Sequence, residues 1–178
     1  RSFETKAERD YCKQTELDYA TFSGSFKTRA NDLLIKHSNY FCIDIDHISG
    51  EIDATKNNLL KSYIPALMFI SPSGDGLKVV YKIDTTKGSH QDFYFAFEDY
   101  FKTEYNTDID ASCKDVSRAC FLCHDSNCFY SENASVLGSD FINSHKTTVQ
   151  GIVKTEYETG ERPGDIYNQN PDSVYEMK

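Results

Sequence analysis

Residues 39–46, Asn-Tyr-Phe-Cys-Ile-Asp-Ile-Asp, constrain the fold more than any other stretch of this chain. Aromatic and β-branched residues suit a pleated, half-buried surface, and their alternation with Asp predicts a strand. Successive strand side chains point to opposite faces. Ile43 and Ile45 therefore turn toward a core, while Asp44 and Asp46 project together from the other face. Two carboxylates about 7 Å apart along a sheet are expensive unless a cation or hydrogen-bond donors compensate them. A hard cation bound by oxygen ligands, Mg²⁺ or Mn²⁺, is one natural compensation. The alternative is that one Asp caps the following turn and the other is solvated.

The remaining elements follow from local signals. Residues 5–17 are polar and helix-tolerant. Residues 25–38 carry mixed signals and predict a short strand or turn leading into a helical turn. Residues 53–64 start with Asp53 as a cap and predict a helix ended by Pro65. Residues 66–72 form a short buried strand, 73–76 a tight turn and 77–84 the returning strand of a hairpin. Residues 89–105 predict an aromatic-rich helix capped by Ser89. Spacings of three and four among Phe93, Phe97, Tyr100 and Phe101 fit one buried helix face, not a base-stacking platform. Two further strands are expected in 117–125 and 127–131. This order predicts an α+β fold, an antiparallel-rich sheet with helices packed on one face.

Composition narrows the function classes. The 178 residues carry 28 acids against 19 Lys and Arg, a net charge of −9, which excludes a generally basic nucleic-acid coat. Hydrophobic residues make up 39%, including 12 Tyr and 12 Phe, enough for a packed core. No apolar run approaches the roughly 18 residues of a membrane span, so no membrane partner is expected. The polar start and turn-rich end suggest a fragment of a longer protein, with a domain over 1–150 and a linker or following region over 151–178. The first 40 residues are net +1, and Lys27, Arg29 and Lys36 lie close together there, a place to look for template contact. The absence of a signal-like stretch points to the cytoplasm and reduced thiols. Four of the six cysteines, Cys113, Cys120, Cys123 and Cys128, crowd around His124. Because Phe and Leu separate Cys120 from Cys123, plain thiols are favoured over a structural Zn²⁺ site.

Two more motifs carry chemistry. Ser71-Pro-Ser73-Gly74-Asp-Gly76-Leu-Lys78 places small residues in a turn, where backbone N–H groups can cradle phosphate, with a cation on the outgoing strand. An ordinary hairpin turn with a surface Lys is the plainer reading. Farther on, Asp110 offers a third carboxylate and Arg118 a bidentate phosphate fork. Asp108 and Asp115 fit solvated loop acids, either of which could pair with Arg118.

Taken in order, these pieces resemble the archaeo-eukaryotic primase superfamily. More narrowly, they resemble the primase-polymerase-type domain of bacteroidete mobile-element and phage proteins, sometimes labelled VirE N-terminal. The stretch runs from Phe22 through residue 136, with 37–48, 71–83 and 115–125 its most specific parts. The resemblance implies an RRM-like primase-polymerase palm and primer synthesis from nucleoside triphosphates on single-stranded DNA. It implies two Mg²⁺ or Mn²⁺ ions on Asp44, Asp46 and Asp110 as metal-binding, catalytic acids. It assigns Ser71, Ser73, Gly74, Gly76, Lys78 and Arg118 to the nucleotide phosphates. The tail resembles a segment leading toward a helicase part, in the same or a partner chain. Lys78 stands where the wider superfamily has His, and a Lys still supplies charge to a triphosphate. The rival readings are a catalytically inactive nucleotide- or nucleic-acid-binding module and a metal-dependent nuclease. A rolling-circle nickase is set aside, because no two of the five His are separated by one residue. His47 adjoins the acids and reads as a polar neighbour at the strand end.

Overall fold

The computed structural model describes residues 5–145. Along the chain come helix α1 (Lys6–Glu16), strands β1 (Tyr19–Ala20), β2 (Gly24–Phe26), β3 (Leu34–His37) and β4 (Tyr40–Ile45), and helix α2 (Ile52–Leu59). Strands β5 (Leu67–Ile70) and β6 (Leu77–Ile83) and helix α3 (His90–Tyr105) follow. Strands β7 (Cys120–Phe121), β8 (Phe129–Tyr130) and β9 (Val136–Leu137) and helix α4 (Ser139–Ser144) complete the order. Short 3₁₀ turns occupy Asn31–Leu33 and Ala111–Lys114. The linker expected over 151–178 lies outside the described residues.

The strand predicted around residues 39–46 is β4, and it sets the frame. It pairs antiparallel with β6, which pairs antiparallel with β5, which in turn meets β8; β9 runs parallel to the end of β6. Phe41, Ile43 and Ile45 of β4 are fully buried on one face, beside Leu77, Val79 and Tyr81 of β6. Helix α3 lies against that face because Phe93, Phe97, Tyr100 and Phe101 form one apolar stripe. Phe97 packs 5.0 Å from Phe41 and 5.1 Å from Tyr81, centroid to centroid. Each such phenyl ring contributes on the order of 1.5–3 kcal/mol through removal from water. The helix begins at a reciprocal box: Ser89 Oγ accepts from the Asp92 amide, and Asp92 Oδ2 accepts from the Ser89 amide. It ends at Asn106, which takes the left-handed conformation at φ 48°. The fold is thus mixed α+β with antiparallel pairing and few helices, as the order of elements implied.

The opposite face carries a smaller apolar group, Cys42, Phe69, Val80 and Cys120. The β1–β7 ribbon, in which Tyr19 pairs with Phe121, brings Cys120 onto that face. Where this cover stops, the polar end of β4 is left open, and that position becomes the site. Among the described residues no helix is long and apolar enough to cross a membrane.

Several expectations need correction. Asp53 does not cap α2; Glu51 stands at the cap without a side-chain hydrogen bond, and Asp53 lies in the first turn. The helix stops at Leu59, well before Pro65, as the Leu60 and Lys61 amides turn back onto Lys56 and Asn58. The strands expected over 117–125 and 127–131 shrink to two residues each, because Asp125 replaces a neighbouring strand. Its Oδ2 accepts the Ile70 amide at 2.9 Å and the Lys56 ammonium at 3.1 Å, and its Oδ1 accepts the Asn127 amide. The helical turn expected in 25–38 is a single 3₁₀ turn between β2 and β3, which pair with each other.

Candidate functional site

The cleft on the open face has a volume of about 840 Å³. Its floor is the end of the β4–β6 pair, where Asp44 lies directly across from Lys78. Asp44 is 3% exposed, and both Lys78 Nζ and Arg118 Nη2 contact its Oδ2. Arg118 Nη2 also reaches Asp110 Oδ2 at 2.9 Å, so one guanidinium nitrogen bridges two carboxylates. Asp110 is held beside β4 by its own backbone, whose amide donates to the Asp44 carbonyl at 3.0 Å. Its Oδ1 accepts from the amide and hydroxyl of Ser112, capping the following 3₁₀ turn.

Asp46 comes just past the strand end and is exposed. Carboxylate oxygens of Asp44, Asp46 and Asp110 lie within 4.8 Å of one another. Desolvation of its carboxyl and the charge of Asp44 raise the Asp46 pKa above the usual carboxylate value. At Asp110 burial pushes upward, but the Ser112 amide and Arg118 outweigh it, and the pKa falls below that value.

Two buried polar atoms at the cleft floor have no hydrogen-bond partner: Asp44 Oδ1 and Arg118 Nη1. One is an acceptor and the other a donor, and leaving either unsatisfied is costly. A ligand that brings a cation to the first and an anion to the second answers both. A divalent cation carried with a phosphate has that character, and the oxygen donors of the three acids suit Mg²⁺ or Mn²⁺. Asp44, Asp46 and Asp110 are the residues that could hold such an ion.

The Ser/Gly turn contributes differently from the expected cradle. The Gly74 amide donates to the Ser71 carbonyl at 2.8 Å and the Gly76 amide to Ser71 Oγ at 3.0 Å, so both are used inside the turn. Gly74 supplies the positive φ of 78° that the turn requires. At Gly76 a Cβ would stand 2.5 Å from the Ile45 carbonyl and 3.2 Å from Asp46 Oδ1, so the chain there tolerates no side chain. The turn presents Ser71 and Ser73 to the cleft, their hydroxyls 2.9 Å apart, with Ser73 also bonded to Asp75. Gly74 and Gly76 shape the turn without lining the cleft.

His47 follows the acids at φ 59° with its side chain 89% exposed, its Nδ1 3.5 Å from Asp75; it lines a shallow depression that shares Asp46 and Asp110 with the cleft. Asp108 pairs with Lys102 on the surface, whereas Asp115 lines the cleft and accepts from Asn31. Of the cations grouped near the start of the chain, Arg29 lines the cleft, and so does Lys13. The sequence motifs did not single out Tyr19 or Phe121, which line the same cleft. Their only local signal is an aromatic in each of two short strands, and their pairing spans most of the chain. The six cysteines are unpaired; Cys42 and Cys120 are buried together, and Cys123 Sγ donates to the Ile70 carbonyl at 3.0 Å.

No curated protein and no solved structure matches the chain significantly. A family model described as BT4734-like, N-terminal domain, matches residues 13–130, which span β1 through β8 and every proposed site residue. The chain belongs to the BT4734-like N-terminal domain family.

Proposed function

We propose that this domain is a metal-dependent nucleotidyltransferase of the primase-polymerase type, making primers from nucleoside triphosphates on a single-stranded DNA template. Its sheet then serves as an RRM-like palm, and a helicase region in the same or a partner chain completes the replication machinery. The observation that carries the reading is the pair of unpartnered buried atoms, Asp44 Oδ1 and Arg118 Nη1, at the floor of the acid-lined cleft. The order of motifs that resembles primase-polymerase domains supports it independently.

Asp44, Asp46 and Asp110 are the residues that would hold Mg²⁺ or Mn²⁺. When bound, such ions lower the pKa of an attacking hydroxyl and neutralise the departing pyrophosphate. The chain's own groups do the positioning. Lys78 and Arg118 place two fixed positive charges at the cleft floor, and the Ser71–Ser73 turn walls the cleft beside them, with Ser73 donating to Asp75 and Ser71 to Ser73. The bridge from Arg118 to Asp44 and Asp110 keeps two carboxylates converged that would otherwise repel.

Primer synthesis on single-stranded DNA with Mg²⁺ or Mn²⁺ tests the proposal. Wild type yields product and the Asp44→Ala/Asp46→Ala double variant yields none; no product from either refutes catalysis by this domain. The contacts of Lys78 and Arg118 with Asp44 favour a second reading, a module that binds nucleotide without turnover. Metal-dependent nucleoside triphosphate binding without product selects that reading.

A further inference from the structure

One part of the cleft plays no role in phosphate or metal chemistry. At its rim the β1–β7 ribbon sets Tyr19 directly opposite Phe121, the rings edge-to-face with centroids 6.2 Å apart and planes at 75°. Arg29 places its guanidinium 5.9 Å from the centre of the Tyr19 ring. All three line the same cleft as the acids and the serine turn. Tyr19 is 52% exposed, so its ring remains available to a ligand. The large aromatics of α3 are by contrast consumed in the core, so they offer no face to a ligand.

We propose that Tyr19, Phe121 and Arg29 form the nucleobase subsite of this cleft, taking the base of a nucleoside triphosphate whose phosphates lie at the acid-lined floor. The inference rests on the nucleotidyl-transfer reading above and adds the part of the ligand that reading leaves unplaced. Every base has a π-face, and stacking on an aromatic ring is tolerant of sequence. Guanidinium planes stack on the same faces, so Arg29 and Tyr19 present two compatible surfaces. The cleft volume of about 840 Å³ lies within the range of pockets that enclose small organic ligands. A polar end and an aromatic rim in one cavity match a ligand that is anionic at one end and planar at the other. Because stacking needs only a π-face, the subsite accepts purines and pyrimidines alike, purines more tightly because their rings are larger.

Calorimetric titration of the full chain with ATP and with inorganic tripolyphosphate, each with Mg²⁺, tests this. Wild type binds ATP more tightly than tripolyphosphate. Tyr19→Ala weakens ATP by about 5- to 150-fold, the range of losing one stacked base, and leaves tripolyphosphate unchanged. Tyr19→Phe restores ATP binding, which also shows that the ribbon folds. Equal loss for both ligands, or no loss for either, overturns the subsite. Loss of oligo(dT) binding with ATP unaffected also overturns it, and assigns the ring to a DNA strand instead. Failure of wild type to bind tripolyphosphate contradicts the phosphate and metal reading itself, and the subsite falls with it.

Discussion

A chain of two imidazoles ties the candidate site to pH. The Asn39 amide donates to His37 Nδ1 at 3.0 Å, His37 Nε2 meets His90 Nδ1 at 3.2 Å, and His90 Nε2 meets the Cys113 carbonyl at 3.2 Å. A donor at Asn39 and an acceptor at Cys113 fix both rings as neutral, each with its proton on Nε2. Cys113 sits in the 3₁₀ turn that Asp110 caps, so the chain braces the segment carrying the third carboxylate. His90 also stacks on Phe41 at 4.4 Å, which removes it from water. Burial lowers its pKa from 6.5 to about 4, with the neighbouring His37 adding to the drop and the Cys113 carbonyl and Asp115 opposing it. Burial lowers His37 as well.

The sign follows from linkage. Between about pH 4 and 6.5 the unfolded chain binds a proton at His90 that the folded chain refuses, so stability rises with pH across that window. The contribution is complete above pH 6.5 and lost as pH falls toward 4. The drop from 6.5 to about 4 corresponds to about 3 kcal/mol. Urea unfolding followed by circular dichroism from pH 7.5 to 4 measures it. Wild type should lose about 3 kcal/mol more than His90→Gln over this range, since carboxylate titrations are common to both and cancel. Parallel curves for the two proteins would refute the reasoning, as would an imidazole NMR signal for His90 titrating near 6.5.

Three further outcomes are expected. Gly76→Ala should destabilise the fold by about 1–3 kcal/mol, because the new Cβ meets the Ile45 carbonyl at 2.5 Å; a chemical-denaturation change under about 0.5 kcal/mol would show that the turn can yield. Lys56→Ala leaves the half-buried Asp125 carboxylate without its cation but with its amide donors, and should cost about 1–3 kcal/mol by the same assay, with loss of order around Ile70 and Asn127 in amide exchange. Arg118→Met removes the bridge between Asp44 and Asp110, so the Asp110 pKa should rise above its present lowered position. Carbon-13 NMR titration of the carboxyls would detect this, and an unmoved Asp110 would mean that Ser112 alone holds it down.

Elements whose partners are near in sequence were legible, and those with distant partners were not. The alternation in residues 39–46 identified β4 because period two needs only local reading. Ser89 and the aromatic spacing identified α3 for the same reason. The hairpin joining β5 to β6 was visible from its turn, but the register that sets Asp44 against Lys78 was not, since β4 enters that sheet from across α2. Strands β1, β7, β8 and β9 are two residues each, too short for any periodic signal. Tyr19 lay in no motif and Phe121 was no more than a residue of an expected strand, and only the pairing of β1 with β7 puts them in one wall. The acids were singled out by motif, but the engagement of Lys78 and Arg118 with Asp44 depends on side chains meeting in space. The Ser/Gly turn shows the limit from the other side: composition suggested free amides, and the folded turn uses those of Gly74 and Gly76 itself.

The central claim, that three carboxylates and two cations form a metal–nucleotide site, is tested most directly by anomalous diffraction from crystals soaked with Mn²⁺ and a non-hydrolysable nucleoside triphosphate. Mn²⁺ should appear between Asp44, Asp46 and Asp110, with the triphosphate against Arg118 and the serine turn. Mn²⁺ absent from these acids, with Lys78 and Arg118 still closed on Asp44, would contradict it.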